Sequence, residues 1–369
     1  MKARHGTGTM VLTATMLLVL TACDRSNPDE SAFDLGDYEG QLRAEADARA
    51  KDPGWTPSHT EIAVIRVDEN STGGSLQNFC VNGEGQLLLC WAGQPATEGG
   101  AGIRVLTPEG KPVATWALDF TPQAICVDAT GMTYVGGAGR LAKLGTDGKV
   151  LASATSPALA ASELSDEELE AQLKEMGVPS DQKEIYRQAL KNRRNDITGL
   201  GTTGSDVFVA CASPKGFGYA AYRLDQDLKN SKLVIEKLSG CCGQMDITAH
   251  DGKLWVAHNG KHRVETFDRD GRQLASFGRM DRRAADGFGG CCEPKNLRIA
   301  SNGDVLAAES GPPVAIKRFT AEGKFLGVIA SPTFDSGCVR TTVDVSPDGK
   351  RFYLLDAGSD TIHVFAVKD

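Results

Sequence analysis

The sequence predicts an all-β chain whose strands form six four-stranded units closed into a ring: a six-bladed β-propeller with a helical insertion between blades 2 and 3. Three observations predict it. Short turns built on Asp-Gly or Asn-Gly recur roughly every 46–52 residues, outside one interruption. The runs between them are apolar and rich in Val and Leu. Glycine is abundant, at 42 residues, while aromatic residues make up only 6%, which suits many turns and short strands better than a helical bundle.

The chain opens with Lys2 and Arg4 ahead of an apolar stretch from Met10 to Leu20. That length suits the core of a signal peptide and falls short of the ~20 residues that cross a bilayer. The stretch ends in Leu20-Thr21-Ala22-Cys23, which resembles a bacterial lipobox. The resemblance implies cleavage after residue 22 and lipidation of Cys23, giving an exported protein anchored in a bacterial membrane, on its periplasmic or cell-surface side. An ordinary signal cleaved near Ala22 is the alternative. Residues 23–58 are charged and polar and are expected to form a tether. A short helix is predicted over Tyr38–Lys51, ended by Pro53 and Pro57.

Residues 59–369 carry the repeat. The first turn of each unit reads Asn82-Gly83-Glu84-Gly85, Ala129-Thr130-Gly131, Asp251-Gly252, Asn302-Gly303 and Asp348-Gly349, with a degenerate copy near Gly204-Ser205. The second reads Glu109-Gly110, Asp147-Gly148, Asp270-Gly271 and Glu322-Gly323, with a degenerate copy near Asp227. Such dipeptides between apolar runs mark tight hairpins, because both central positions tolerate positive φ. The last unit ends on Thr361–Val367, its third strand, and the missing fourth is expected from Glu61–Val67, which closes the ring and removes its open edges. The pattern, with Val256-Ala257 and Asp270-Gly271, resembles NHL-type six-bladed propellers. Between residues 157 and 196 the period breaks. Ser165-Asp166-Glu167-Glu168 is a capping box, Leu164 and Leu169 fit a hydrophobic staple, and Gly177 fits a helix stop. A second helix is predicted over Asp181–Arg193.

The ten cysteines are the feature most suggestive of chemistry. Counting back five residues from Ile247, Leu297 and Val343, at the starts of three successive inner strands, lands on Cys242, Cys292 and Cys338; Cys241 and Cys291 precede two of them. In a propeller these positions ring one mouth of the central channel. Aligning the ends of the second strands puts Cys211, His258, Glu309 and Asp356 in one column on the same face. Thiolates converging there could hold a soft or borderline metal or an iron–sulfur cluster, with His258, Glu309 or Asp356 as further ligands. In an oxidising compartment the six mouth cysteines could equally form disulfides, or act as redox-active thiols. Cys80, Cys90 and Cys126 read as small buried residues.

The formal charge of −8 argues against a nucleic-acid binder. Three functions stay open: an envelope-anchored binding or scaffold module with a protein or ligand partner, a metal or iron–sulfur redox protein, and a propeller hydrolase or lyase. The last resembles lactonase-type propellers, which use acidic residues and a divalent ion at the channel; here the acidic residues form only part of a ring.

Overall fold

In a computed structural model, residues 35–67, 73–93, 100–161, 163–240, 243–290, 292–335 and 338–367 are described. They form six four-stranded antiparallel sheets, each ordered sequentially from the channel outward except the last. Blades 1 to 5 span residues 75–117, 124–155, 197–238, 247–277 and 296–330. Blade 6 takes three strands from the end of the chain, Val343–Val345, Arg351–Asp356 and Thr361–Val367, and its outer strand from His59–Arg66. The closing pair runs from His59 opposite Val367 to Arg66 opposite Thr361, with a bulge between Glu61 and Ala63.

Burial depends on position within the blade. Second strands lie between two neighbouring blades and are apolar on both faces; Leu87–Ala92 is buried almost throughout. Outer strands face solvent, and Pro112–Ala117 is mostly exposed. The core is therefore a set of wedges between successive blades. One wedge joins Cys80, Leu88, Cys90, Ile103 and Val105 of blade 1 to Ile125, Val135 and Leu144 of blade 2. Another gathers Cys126, Tyr134 and Leu141 of blade 2 with Ile197, Val209 and Cys211 of blade 3.

Turn chemistry repeats as the spacing implies. An Asx side chain two residues ahead of the turn tip accepts two backbone N–H bonds: Asp268 Oδ1 from Asp270 (3.0 Å) and Arg272 (2.9 Å), Asn82 Oδ1 from Glu84 (3.1 Å) and Gln86 (2.8 Å). Gly110 and Gly303 take φ values of 84° and 88°, where a Cβ would be strained.

Between blades 2 and 3 the chain forms helices Pro157–Ala160, Asp166–Glu175 and Lys183–Arg193. The capping box is present: Ser165 Oγ accepts from Glu168 N at 3.2 Å, and Ser165 N donates to Glu168 Oε2 at 2.8 Å. Gly177, at φ 66°, lets Val178 N reach Leu173 O at 2.8 Å. Arg194 closes the excursion by donating to the carbonyls of Ala158, Leu159 and Ala161.

The expected tether is structured where it is described. A helix covers Leu35–Lys51, and the stretch from Arg49 to Trp55 docks on the loop between blades 4 and 5. Arg49 Nη1 donates to Arg282 O (2.8 Å), Trp55 Nε1 to Arg283 O (2.8 Å), and Asp52 Oδ2 accepts from Ala285 N (3.1 Å). Ser58 N then bonds Val328 O (3.0 Å) as the chain enters the closing strand.

At the channel a belt of side-chain hydrogen bonds links every blade to the next. Asn78 Nδ2 of blade 1 donates to Gln123 O (3.2 Å), and Gln123 Oε1 accepts from Ile197 N of blade 3 (3.2 Å). Thr198 Oγ1 donates to Met245 O (2.7 Å), beside blade 4. Asp246 Oδ2 accepts from Asn296 Nδ2 (2.7 Å) and Leu297 N (2.9 Å) of blade 5. Asn296 Oδ1 accepts from Val343 N of blade 6 (2.9 Å), and Thr342 Oγ1 donates to Asn78 Oδ1 (2.9 Å), completing the circle. Asn296 is 1% exposed and serves both neighbours at once. Asn296→Ala is expected to strand the buried Val343 N–H and lower unfolding free energy by ~2–4 kcal/mol, measured by urea denaturation.

Candidate functional site: the channel mouth

Loops from one blade's outer strand to the next inner strand, and loops between second and third strands, open at one end of the antiparallel blades. That end is the mouth. Loops ahead of blades 4, 5 and 6 meet there. Gln244 Nε2 donates to Thr341 O (2.7 Å) and Gln244 Oε1 accepts from Thr341 N (3.4 Å), an amide pair tying the loop ahead of blade 4 to that ahead of blade 6. Lys295 Nζ donates to two sulfurs, Cys292 Sγ at 3.3 Å and Cys338 Sγ at 3.5 Å. These two sulfurs are therefore no farther apart than the sum of those distances. Cys292 is buried and disulfide-bonded. Cys338 is exposed and takes a φ of 56°, unusual for a residue with a Cβ. Cys23, Cys241, Cys242 and Cys291 lie outside the described residues. Cys211 sits in the wedge between blades 2 and 3 with Ile197 and Ala158, and burial pushes its thiol up to about 12. Among the described residues no group of three or more Cys, His, Asp or Glu is placed to hold a metal.

The other residues of the aligned column are engaged within the protein. His258 is 1% exposed; its Nε2 accepts from Ser239 N (3.0 Å), which leaves the proton on Nδ1, 2.7 Å from Glu265 Oε2. Glu309 Oε1 accepts from Gly289 N (2.6 Å), and its Oε2 pairs with the fully buried Lys317. Asp356 caps its own loop, accepting from Gly358 N (2.9 Å) and Ser359 Oγ (2.7 Å).

Next to the sulfurs, Glu293 is 1% exposed. Its Oε1 accepts from Ser310 N (3.0 Å) and Gly311 N (2.8 Å), while Oε2 has no hydrogen-bond partner among the described residues. Burial pushes the carboxyl up to about 8, against the pull of Lys295.

Alignment by apolar residues and cysteines missed the residues that line the channel. Arg340 donates through Nη1 to Gln77 Oε1 at 3.1 Å. Protein closes in around its guanidinium and lowers its pKa, Asp196 acts on it through space in the opposite sense, and part of the residue still meets solvent. Asp196 in turn accepts from Gln123 Nε2 (3.5 Å). Deeper, Arg298 and Asp344 form an ion pair at 3.2 Å with side chains only 13% and 10% exposed. Burial pushes the nearby Asp246 carboxyl up to about 7, opposed by Arg298 and by the N–H of Leu297. A signal was present for Asp196 and Asp246. In blades 2 to 6 a polar residue stands directly before the first apolar residue of the inner strand, Gln123, Asp196, Asp246, Asn296 and Thr342, and in blade 1 Asn78 stands before Phe79 within the strand.

No family model and no curated protein matches the sequence. Solved structures do. A streptogramin B lyase superposes with a TM-score of 0.52 at 11% identity, covering 85% of this chain and 100% of the lyase. A gluconolactonase from Xanthomonas campestris gives 0.51 at 11% identity, covering 84% and 99%. A putative gluconolactonase gives 0.50 at 14% identity, covering 87% and 97%. At these identities the likeness establishes the shared six-bladed fold.

Two buried carboxyls give the fold a pH signature. Asp246 and Glu293 hold protons up to about 7 and about 8, whereas unfolded carboxyls release them near ~4. Between those limits the folded chain binds protons that the unfolded chain has lost. The stability they contribute is full below ~4 and is lost as pH rises through the folded values. Asp246→Asn keeps an acceptor for Asn296 and Leu297 and removes one titration. The loss of stability between about pH 5 and about pH 7 should therefore be smaller in the variant by ~1–3 kcal/mol, read from urea melts at both pH values.

Proposed function

We propose that this chain is exported, anchored through a lipid on Cys23, and acts at the cell envelope as a binding module whose ligand sits in the polar mouth of the channel. The observation that carries the binding reading is Arg340. Its guanidinium is enclosed, part of the residue meets solvent, and its described hydrogen bond goes to a neutral acceptor, Gln77. A guanidinium offers five donors in a planar fork, which suits a carboxylate or phosphate on the ligand. Export is supported by the disulfide at Cys292, since such bonds persist in oxidising compartments. Anchoring is supported by the Leu20-Thr21-Ala22-Cys23 motif.

A second reading, a hydrolase or lyase of lactone-like substrates, draws on a different residue. A buried channel carboxyl with a pKa of about 7, Asp246, is suited to move a proton near neutrality. The fold is shared with a lyase and with gluconolactonases.

The readings separate experimentally. Calorimetry with gluconate and inorganic phosphate as probes should show binding that weakens by about tenfold or more in Arg340→Ala. Binding of neither probe, or equal binding by the variant, would remove the anionic-ligand reading. Turnover of gluconolactone that is lost in Asp246→Asn would favour the enzyme. Cys23→Ser should shift the protein from the membrane to the soluble fraction, with the acyl mass missing from its N-terminal peptide. An unchanged distribution would rule out the anchor.

A further inference from the structure

Two opposite charges stand on opposite sides of the channel mouth without meeting. Inner strands contact one another in the order of blades 1 to 6 and back to blade 1, so blades 3 and 6 are half a ring apart. Asp196 directly precedes the inner strand of blade 3, and Arg340 lies three residues before that of blade 6, which puts both at the same end of the channel. Each is held to its own side. Arg340 Nη1 donates to Gln77 Oε1 (3.1 Å). Asp196 Oδ1 accepts from Gln123 Nε2 (3.5 Å), and the same amide is fixed through its Oε1 by Ile197 N (3.2 Å). The two charges act on each other through space, yet no guanidinium nitrogen comes within 4.0 Å of the carboxylate. Arg193, the other cation that acts on Asp196, also stays beyond 4.0 Å; its guanidinium lies over the rings of Tyr219 (5.1 Å) and Phe217 (5.7 Å). Asp196 and Arg340 are both half-buried, so each gives up part of its water without gaining an ion pair.

We propose that the mouth selects a zwitterion: a small amino acid whose carboxylate lies on Arg340 and whose ammonium lies on Asp196. The inference rests on the binding reading above and narrows its ligand from an anion to a molecule that carries both charges. A planar guanidinium meets the carboxylate with a fork of N–H donors, and an ionised aspartate, which only accepts, meets the three donors of an ammonium. A plain anion on Arg340 would face the Asp196 carboxylate across the mouth. An ammonium on the same molecule turns that repulsion into attraction, and the difference counts for more in an enclosed site than in open water. Burial pushes the Asp196 carboxyl up, and an arriving cation pulls it back towards its charged form, so binding and ionisation reinforce each other. Because Gln77 and Gln123 already hold the two charged groups apart, the site is preorganised on both sides of the ligand.

Calorimetry on the full chain at low salt compares matched pairs of compounds: glycine with acetate, β-alanine with propionate, and 4-aminobutyrate with butyrate. Within at least one pair the amino acid should bind the parent about tenfold or more tightly than the acid. This comparison uses the parent alone and so does not depend on any variant folding. Asp196→Asn should bring that pair to within about threefold by weakening the amino acid, without weakening the acid. Arg340→Ala should weaken both members by about tenfold or more. Pairs that bind the parent equally, or a preference that survives in Asp196→Asn, would overturn the zwitterion; the anion reading would stand if the acids still lose affinity in Arg340→Ala. Acids that bind Arg340→Ala as well as the parent would overturn the anion reading and this inference with it. Binding of none of these compounds would overturn the zwitterion, and gluconate and phosphate would then decide the anion reading separately.

Discussion

Six sheets packed face to face through non-directional apolar wedges need something to hold their angular order, and here it is the belt of hydrogen bonds at the channel. Its members are polar residues in or just before the inner strands: Asn78, Gln123, Thr198, Asp246, Asn296 and Thr342. Each bond crosses from one blade to the next, so no blade can shift without leaving a buried donor or acceptor unmet, at roughly 1–3 kcal/mol apiece. The close approach that the belt enforces is visible at Gly199, where a Cβ would lie 2.7 Å from Ile247 N of the next blade. Closing the ring through His59–Arg66 then serves the same constraint from outside, by pairing the first described strand with the last.

Charge inside the ring is distributed to fit this frame. Arg298 and Asp344 come from neighbouring inner strands and pair across the channel wall. Asp246 contributes to the belt and lies close to that pair, which explains why its carboxyl is pulled in two directions: burial raises its pKa and Arg298 lowers it. Breaking such a pair from one side leaves an uncompensated charge, so the channel floor is rigid by electrostatics as well as by hydrogen bonding. The mouth above it is less symmetric. The sulfur-bearing residues belong to the loops ahead of blades 5 and 6, whereas Asp196 and the helical excursion enter ahead of blade 3. Arg340 stands between these halves, bonded to Gln77 at the start of blade 1.

The fold was legible because hairpin chemistry is local. Asp268 or Asn82 with the glycine a few residues on defines a turn without help from the rest of the chain, and counting such turns yields the blades. Even the closing strand emerged from counting, because the last unit was one strand short. Site residues were less legible because their partners are not local in sequence. His258 and Glu309 occupied a plausible ligand column, yet each reaches the same diagonal position on the third strand. Glu265 lies opposite Val256, two residues before His258, and Lys317 lies opposite Ala307, two residues before Glu309. A shared diagonal with opposite charge signs in the two blades is invisible to an alignment made on apolar residues. The same alignment passed over Arg298, Asp344 and Arg340, whose meaning depends on what stands across the channel.

The segment before the closing strand links these features mechanically. Arg49, Asp52 and Trp55 hold the backbone at Arg282, Ala285 and Arg283, and the Trp55 ring lies 4.5 Å from Lys317 Nζ. Lys317 pairs with Glu309, Glu309 accepts from Gly289 N, and the next described residues along that loop reach Cys292 and Glu293. A single stretch of chain thus supports the loop that carries the sulfur site and then runs on to complete blade 6. Loosening it would weaken ring closure and the seating of that loop together, because Ser58 is fixed to Val328 of blade 5 before the strand begins. The seating of the loop that carries Cys292 therefore depends on contacts made by residues 49–55, well away in sequence from any cysteine of the repeat.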